Sequence, residues 1–281
     1  MCMGFGCNAA GVTGCRIIDS PRERLIAILT NSFVPCNGRF PTIITIISLF
    51  LVGGTAGMLG SFYGALLLVG AIVFGVGMTL LASKFLSVTV LKGAPSSFTL
   101  ELPPYRPPQI GRVILRSVID RTLRVLGRAV VAAAPAGLAI WALANIRTGS
   151  GVALLTHITA FLDPFARSMG LDGVILTAFI LGLPANEIVV PIMIMTYTAQ
   201  GSLLELEGAA LHSLLTQNGW TWVTAVCTIL FMLFHWPCAT TCMTIRKETG
   251  SLKWTLLSVL LPTACGMLLC FAVATVARLL P

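Results

Sequence analysis

The chain has 281 residues, of which 56% are hydrophobic and only 10% are charged, and its formal net charge is +8. Because soluble domains carry about 25% charged residues, this composition excludes an ordinary soluble domain. The basic residues stand in separate clusters between apolar stretches, a distribution that argues against nucleic-acid binding.

Long uncharged stretches predict several membrane-spanning helices. A span needs roughly 20 apolar residues, and nothing in the chain alternates with the period of two expected for the strands of a membrane barrel. We therefore predict an all-α, polytopic helical membrane protein, in which residues 1–281 form a single permease domain in the lipid bilayer. The uncharged stretches are 40–83, 129–146, 208–245 and 254–277.

In chain order we predict five parts. Residues 1–40 hold a Gly-rich break, called here the first gate segment, and a cytoplasmic segment; residues 41–91 form a helical hairpin. Residues 92–128 form a cytoplasmic proline-rich strap and a basic amphipathic helix, and residues 129–204 hold a span and a second gate segment. Residues 205–281 hold the last spans, broken at His235-Trp236-Pro237-Cys238.

The basic clusters predict the orientation in the membrane. The first cluster is Arg16, Arg22, Arg24 and Arg39, the second lies within 84–128, and the third is Arg246, Lys247 and Lys253. By the positive-inside rule all three face the cytoplasm. The segment 201–219 carries Glu205 and Glu207 but no basic residue, so we expect it on the outer side.

Glu187 is the least expected residue for a membrane protein, because it lies near the middle of an apolar run. Fourteen uncharged residues precede it and seventeen follow it. A carboxylate at this depth is costly unless it faces a cavity, a partner or an ion. Pro184 and Pro191 lie on either side and cannot donate backbone hydrogen bonds. We therefore predict a broken helix here, as one crossing or as a re-entrant pair.

Polar and sulfur-containing side chains gather at three predicted breaks. Thiol, imidazole, carboxylate and amide groups together are typical of a site for a borderline-soft divalent metal. We expect the second break to lie close to a break lined by Cys7 or Cys238. Carbonyls near Ile180 and Glu187 should lack helical partners, because Pro184 and Pro191 cannot donate. The candidate metal-path residues are Cys7, Asn8, Cys36, Asn186, Glu187, His235 and Cys238.

Other interpretations of these residues stay open at this point. Cys7 also suits close helix packing, and His235 also suits a histidine whose ring bonds a neighbouring carbonyl group. A nucleoside permease would favour aromatic and amide groups at the breaks. A membrane enzyme using Cys238 with His235 as its base would need an oxyanion donor and a third oriented group, and the sequence indicates neither.

Four motifs resemble those of the C-terminal membrane part of the ferrous iron transporter FeoB family. The resemblance covers essentially the whole chain, and it implies Fe(II) uptake across the bacterial cytoplasmic membrane. Fe(II) is then a transported substrate, with no permanently bound cofactor and no enzyme activity in this part. The motifs are Gly4-Phe5-Gly6-Cys7-Asn8, Phe98–Arg106, Gly182–Pro191, and His235–Thr241 running on to Lys247–Thr255.

The family also implies partners and shows where this chain departs from its pattern. Members carry a GTP-binding domain and work with a small SH3-like cytoplasmic protein; a homo-oligomer is left open. This chain has no G-x-x-x-x-G-K-[ST] phosphate loop, and Ala9-Ala10-Gly11 stands where the family has a proline. We expect the GTP-binding domain and the first spans to be absent, as in a split or truncated gene product. An inactive remnant is the remaining alternative.

Overall fold

The computed structural model describes residues 2–53, 58–93, 123–147, 153–199 and 206–279, with a few isolated positions between 109 and 119. Within these ranges the chain forms helices and turns and no strand, so the all-α prediction is confirmed. The helices are α1 Asn8–Gly14, α2 Pro21–Thr30, α3 Phe40–Ile46, α4 Met58–Val88, α5 Arg124–Asn145, α6 Leu154–Ser168, α7 Gly173–Leu181, α8 Val189–Tyr197, α9 Gly208–Gln217, α10 Trp222–Phe234, α11 Ala239–Thr249 and α12 Leu252–Leu279.

Four segments of the described chain are long and apolar enough to cross a membrane. The pair α6 and α7 meets the same criterion only together, and it is bent by 110°. The first of the four begins at residue 21, whereas we predicted a cytoplasmic segment up to residue 40. The difference arises because α2 and the turn Asn31–Phe33 bury Ile28, Leu29 and Phe33. The four segments are Pro21–Leu51, Met58–Val88, Trp222–Thr249 and Leu252–Leu279.

All three predicted breaks are present. Gly6 and Cys7 separate a short 3-10 turn from α1, and residues 182–185 separate α7 from the 3-10 turn Asn186–Ile188 that precedes α8. Residues 235–238 separate α10 from α11. Glycine and proline therefore end these helices where the sequence predicts, because proline cannot donate to the helical ladder.

Helices α7 and α8 form a hairpin. The Asp172 carboxylate caps α7 by accepting from Ile175 N at 2.7 Å, and its second oxygen accepts from the Tyr197 hydroxyl at the end of α8. Trp220 Nε1 donates to that hydroxyl at 2.8 Å. Each helix has 9 residues, so each is about 13.5 Å long.

Helices α1 and α11 are short, parallel and packed against each other. At one end Arg16 Nε and the terminal nitrogen of its guanidinium donate to the Glu248 carboxylate at 2.7 Å and 2.6 Å. Val12 and Cys15 share an apolar cluster with Ile245. Both helices therefore start at a break, after Cys7 and Cys238, and run in the same direction.

The basic clusters converge at the end of the molecule where α1 and α11 finish. Arg22 donates to Leu91 O and, at 3.2 Å, to Ser87 O, which brings the first cluster beside the end of α4. Leu25, Leu91 and Trp254 pack around one apolar cluster, so the third basic segment joins them. This convergence agrees with the prediction that the three clusters share one side.

Arg39 is the exception, because it does not lie among the exposed basic residues at this end. Its side chain is fully buried, because it donates to backbone carbonyls deep in the protein. Most of the predicted strap and amphipathic helix within 92–128, the turn 54–57 and the acidic residue Glu205 lie outside the described residues.

Replacing Gly173 with alanine is expected to destabilise the fold. A Cβ atom there would lie 2.0 Å from Thr159 O, and such overpacking costs about 1–3 kcal/mol or more. We expect Gly173→Ala to lower the melting temperature of the detergent-solubilised protein. Gly77→Ala is the matched control, since no atom lies within 4 Å of its added Cβ. Equal melting temperatures for the two variants would contradict the close approach of α6 and α7.

Candidate functional site at the helix breaks

His235 is held with one ring nitrogen against backbone carbonyls. Its Nδ1 lies 3.1 Å from Phe231 O and 2.9 Å from Met232 O. Carbonyl oxygens only accept, so Nδ1 carries the proton of the neutral ring and Nε2 presents its lone pair. A backbone carbonyl fixes the tautomer of metal-binding histidines in the same way. His235 is thus oriented to offer Nε2 as a ligand.

Asn186 lies between His235 and Cys36. Its Oδ1 is 3.2 Å from His235 Nε2, and its Nδ2 is 3.8 Å from Cys36 Sγ. In this orientation two acceptor atoms face each other, an arrangement that a cation or a reversed amide would stabilise. Two ligands bound at about 2.1 Å to one metal lie roughly 3.0–3.4 Å apart at right-angled to tetrahedral geometry. The observed spacing therefore fits a shared cation. We call His235, Asn186 and Cys36 the donor set.

Aromatic rings surround the imidazole and keep it dry. The rings of Phe179, Phe231 and Trp236 have their centroids 5.1 Å, 6.1 Å and 5.9 Å from that of His235. Such packing restricts the imidazole to one orientation, because side chains in dense cores have little freedom.

A backbone hydrogen bond joins the second and third breaks. Ala239 N, at the start of α11, donates to Leu183 O at 2.8 Å. Leu183 N in turn donates to Ile180 O at 3.3 Å. The Ile180 carbonyl therefore lacks its helical partner, as predicted, because Pro184 cannot donate; the tight-turn bond from Leu183 N takes the place of the helical bond.

Glu187 points away from the donor set. Its side chain is exposed and packs on Gly38, where a Cβ atom would lie 3.3 Å from Oε1 and 3.4 Å from Cγ. The turn Asn37–Arg39 packs against the turn Asn186–Ile188 at this point. The second break is thus lined by Cys36 and His235, and Asn186 rather than Glu187 is the residue that faces them.

The first break uses its amide group inside the protein. Asn8 is buried, and with Nδ2 directed at the neighbouring carbonyls it donates to Gly4 O at 3.1 Å and Val34 O at 3.3 Å. Asn31 Nδ2 donates to Asn8 O at 2.9 Å. Gly11 is needed beside Asn31, since a Cβ there would lie 2.5 Å from Asn31 Oδ1. Asn8 therefore stabilises the first break through its Nδ2 group.

The remaining thiols lie next to the donor set, toward α1 and α11. Cys7 and Cys238 are half-buried and precede these two helices. Cys7 and Cys36 are both within electrostatic reach of Cys238, whose Sγ lies 3.2 Å from Thr241 Oγ1. Cys242, which we had not selected from the sequence, is one helical turn further and donates to Pro237 O at 3.4 Å.

The predicted residues do not form one closed metal site. Within the described ranges no three His, Cys, Asp or Glu side chains are grouped closely enough to hold an ion. The seven candidates instead divide into the donor set, the half-buried thiols Cys7 and Cys238, the exposed Glu187 and the structural Asn8. Such a dispersed arrangement suits passage of an ion better than storage, because conduction needs weak sites in succession.

Sequence reasoning missed Arg39 as a buried residue. A usable signal was present: Pro35-Cys36, between the turns Asn31–Phe33 and Asn37–Arg39, repeats the dipeptide Pro237-Cys238 of the third break, and Arg39 follows it. An arginine so close to a break has backbone carbonyls within reach. We had counted Arg39 with the basic clusters and had not considered these carbonyls as its partners.

Two family models match the chain. The model for the C terminus of ferrous iron transport protein B matches residues 68–120, and the Gate model, described as nucleoside recognition, matches residues 126–252. The second match includes Asn186, His235 and Cys238. No solved structure matches the chain.

Curated relatives are similar along nearly the whole chain. The Fe(2+) transporter FeoB of Staphylococcus aureus (strain MSSA476) is 28% identical over 277 residues, covering 96% of this chain and 39% of the relative. The protein of the same name from Methanocaldococcus jannaschii is 28% identical over 294 residues, covering 98% and 40%. That of Campylobacter jejuni is 25% identical over 290 residues, covering 99% and 46%.

These proteins are named as transporters, and the chain spans about two fifths of the length of the first of them. The described part of the chain has the several apolar helices of a multi-pass membrane protein. The two family models and the relatives agree with one another, and the chain is similar to the FeoB proteins, including the region that the first model names as their C terminus.

Proposed function

We propose that this chain is the permease part of a ferrous iron transporter of the bacterial cytoplasmic membrane and is not itself an enzyme. The relatives are named as Fe(2+) transporters. The observation that carries the proposal is the fixed tautomer of His235, which leaves the Nε2 lone pair facing Asn186 Oδ1. Cys36 lies on the other side of the same amide group.

The chemistry of the donor set suits Fe(II). Nitrogen, oxygen and sulfur ligands together match a borderline divalent ion, whereas sodium and magnesium prefer oxygen alone. The donor set is neutral and incomplete, so an ion there would keep part of its water and leave again. Fe(II) is the substrate, and no permanently bound cofactor is proposed.

The end of α7 at the second break adds to the attraction of a cation. The carbonyl end of a helix carries a partial negative charge, and α7 ends at Leu181. Broken helices in transporters use such ends to coordinate cations near the middle of the membrane. We propose that Fe(II) passes from the donor set to Cys238 and Cys7, and then along α1 and α11.

Two alternatives differ in what they require. Another divalent metal would use the same donors, and geometry and availability would decide between them. A nucleoside, suggested by the description of the second family model, would need an open aromatic face. Phe179 and Phe231 are each 1% exposed and pack on each other at 4.9 Å between ring centroids, so neither offers one. The metal is therefore the better supported substrate.

Energy coupling and assembly would involve partners at the basic end of the protein. We propose that a GTP-binding domain, a small SH3-like cytoplasmic protein, or both act with this chain. The basic end, where α1 and α11 finish, is the side that we assign to the cytoplasm. A partner there would meet both helices that lead to the breaks. A homo-oligomer remains compatible with this arrangement.

The thiols at the starts of α1 and α11 are expected to matter for transport. Serine keeps the shape of cysteine but replaces a soft ligand with a harder, poorly ionised one. We expect Cys7→Ser and Cys238→Ser to reduce Fe(II) uptake by about tenfold or more, when the chain is expressed with a FeoB GTP-binding domain. Cys265→Ser and Cys270→Ser should leave uptake unchanged at matched expression. Normal uptake by the Cys7→Ser, Cys238→Ser double variant would remove the thiols from the path.

A change of charge at Asn186 should change metal affinity in a known direction. Cd(II) serves as a soft divalent probe, and protection of Cys36 from alkylation reports its binding. Asn186→Asp should lower the half-protecting concentration by about tenfold, because a charged oxygen replaces a neutral one. Asn186→Leu should raise it, and Asn218→Asp, at an exposed amide outside the breaks, should not change it. Equal protection in the Asp and Leu variants would exclude Asn186 as a donor.

A further inference from the structure

Arg39 joins two parts of the chain that are almost 200 residues apart. Its guanidinium donates to Ser32 O at 3.1 Å, Leu233 O at 2.7 Å, His235 O at 3.2 Å and Trp236 O at 3.4 Å. Three of these carbonyls belong to the end of α10 and the break that follows it. We call this set of four hydrogen bonds the carbonyl clamp.

The clamp is an unusual use of a charged residue. Arg39 is 0% exposed, and its described neighbourhood holds no carboxylate at salt-bridge distance. Its Nε has no hydrogen-bond partner. Burying an unpaired charge costs several kcal/mol unless other groups compensate. Here the compensation comes from carbonyls at a helix end, where a cation is favoured.

The clamp also fixes the donor set from both sides. Arg39 N donates to Cys36 O at 2.9 Å, so the turn that carries Arg39 begins at Cys36. At its other end the guanidinium holds the carbonyl of His235 itself. The same turn packs against Asn186–Ile188. All three members of the donor set therefore depend on the position of this one side chain.

We propose that Arg39 is a positioning residue of the metal path, which holds Cys36 and His235 at the spacing that allows both to face Asn186. Removing the clamp would free three carbonyls at the end of α10 and separate the segment 32–39 from residues 235–238. Where it concerns iron, the inference rests on the proposed function; where it concerns the spacing of the breaks, it does not.

Lysine cannot replace the arginine fully. The guanidinium is planar and offers five donors in a fixed fork, which here reach four carbonyls in two segments. An ammonium group keeps the charge but is a compact point with three donors. Arg39→Lys should therefore retain folding while loosening the two segments. Arg39→Gln, which loses the charge, is the stronger variant.

The test compares alkylation rates of individual cysteines by mass spectrometry, in the full chain in membranes and without iron. In Arg39→Lys we expect Cys36 and Cys238 to react about tenfold faster, the effect of losing one charged hydrogen bond. Cys227 and Cys270, buried between α10 and α12, should react at wild-type rates. Arg16→Lys, at an exposed arginine, is the matched control and should change none of the four.

A second measurement separates positioning from general loosening. The Cd(II) concentration that half-protects Cys36 should rise about tenfold in Arg39→Lys, with no rise in Arg16→Lys. Unchanged rates at Cys36 and Cys238, or equal acceleration of all four cysteines, would overturn the clamp. Unchanged Cd(II) protection despite faster alkylation would overturn its role toward the metal. Absence of iron uptake in the wild-type chain would count against the proposed function alone, since neither measurement uses transport.

Discussion

The constraint on which this structure depends is that backbone polar groups in a dry interior must find partners within the protein. In a bilayer each unpaired N–H or C=O costs several kcal/mol, so a helix can be broken only where something else takes up the released groups. Each of the three breaks among the described residues meets that requirement in a different way. At the first an asparagine side chain does so, at the second a tight turn and the amide of Ala239, and at the third an arginine.

The candidate site follows from these solutions. Because the carbonyls of α10 are held by Arg39 and by the imidazole Nδ1, His235 is left with one free ring nitrogen. The Nδ2 group of Asn8 donates to backbone carbonyls of the first break, whereas the amide of Asn186 lies beside the histidine. The donor set thus consists of side-chain groups that are not needed as hydrogen-bond partners of the backbone at the breaks. Its small size is consistent with a passing ion.

Local features of the site could be predicted, whereas its pairings could not. Glycine and proline reveal the breaks because they act on the backbone of their own helix. The pairing of Cys36 with Asn186 spans 150 residues, and no local pattern encodes such a contact. Glu187 drew attention through its charge, yet its uncharged neighbour faces the histidine. The burial of Arg39 was missed because the positive-inside rule counts charges and takes no account of carbonyls that can bind an arginine internally.

The hairpin of α7 and α8 is held in a different way at each of its two ends. Hydrogen bonds among Asp172, Tyr197 and Trp220 join the start of α7 to the end of α8, so the hairpin is fixed at this end. The other end is connected to the third break by the hydrogen bond from Ala239 N to Leu183 O, and Asn186 at this end lies against His235 and Cys36. A shift of residues 235–239 would therefore reach this end of the hairpin first, while the end at Asp172 and Tyr197 keeps its own hydrogen bonds.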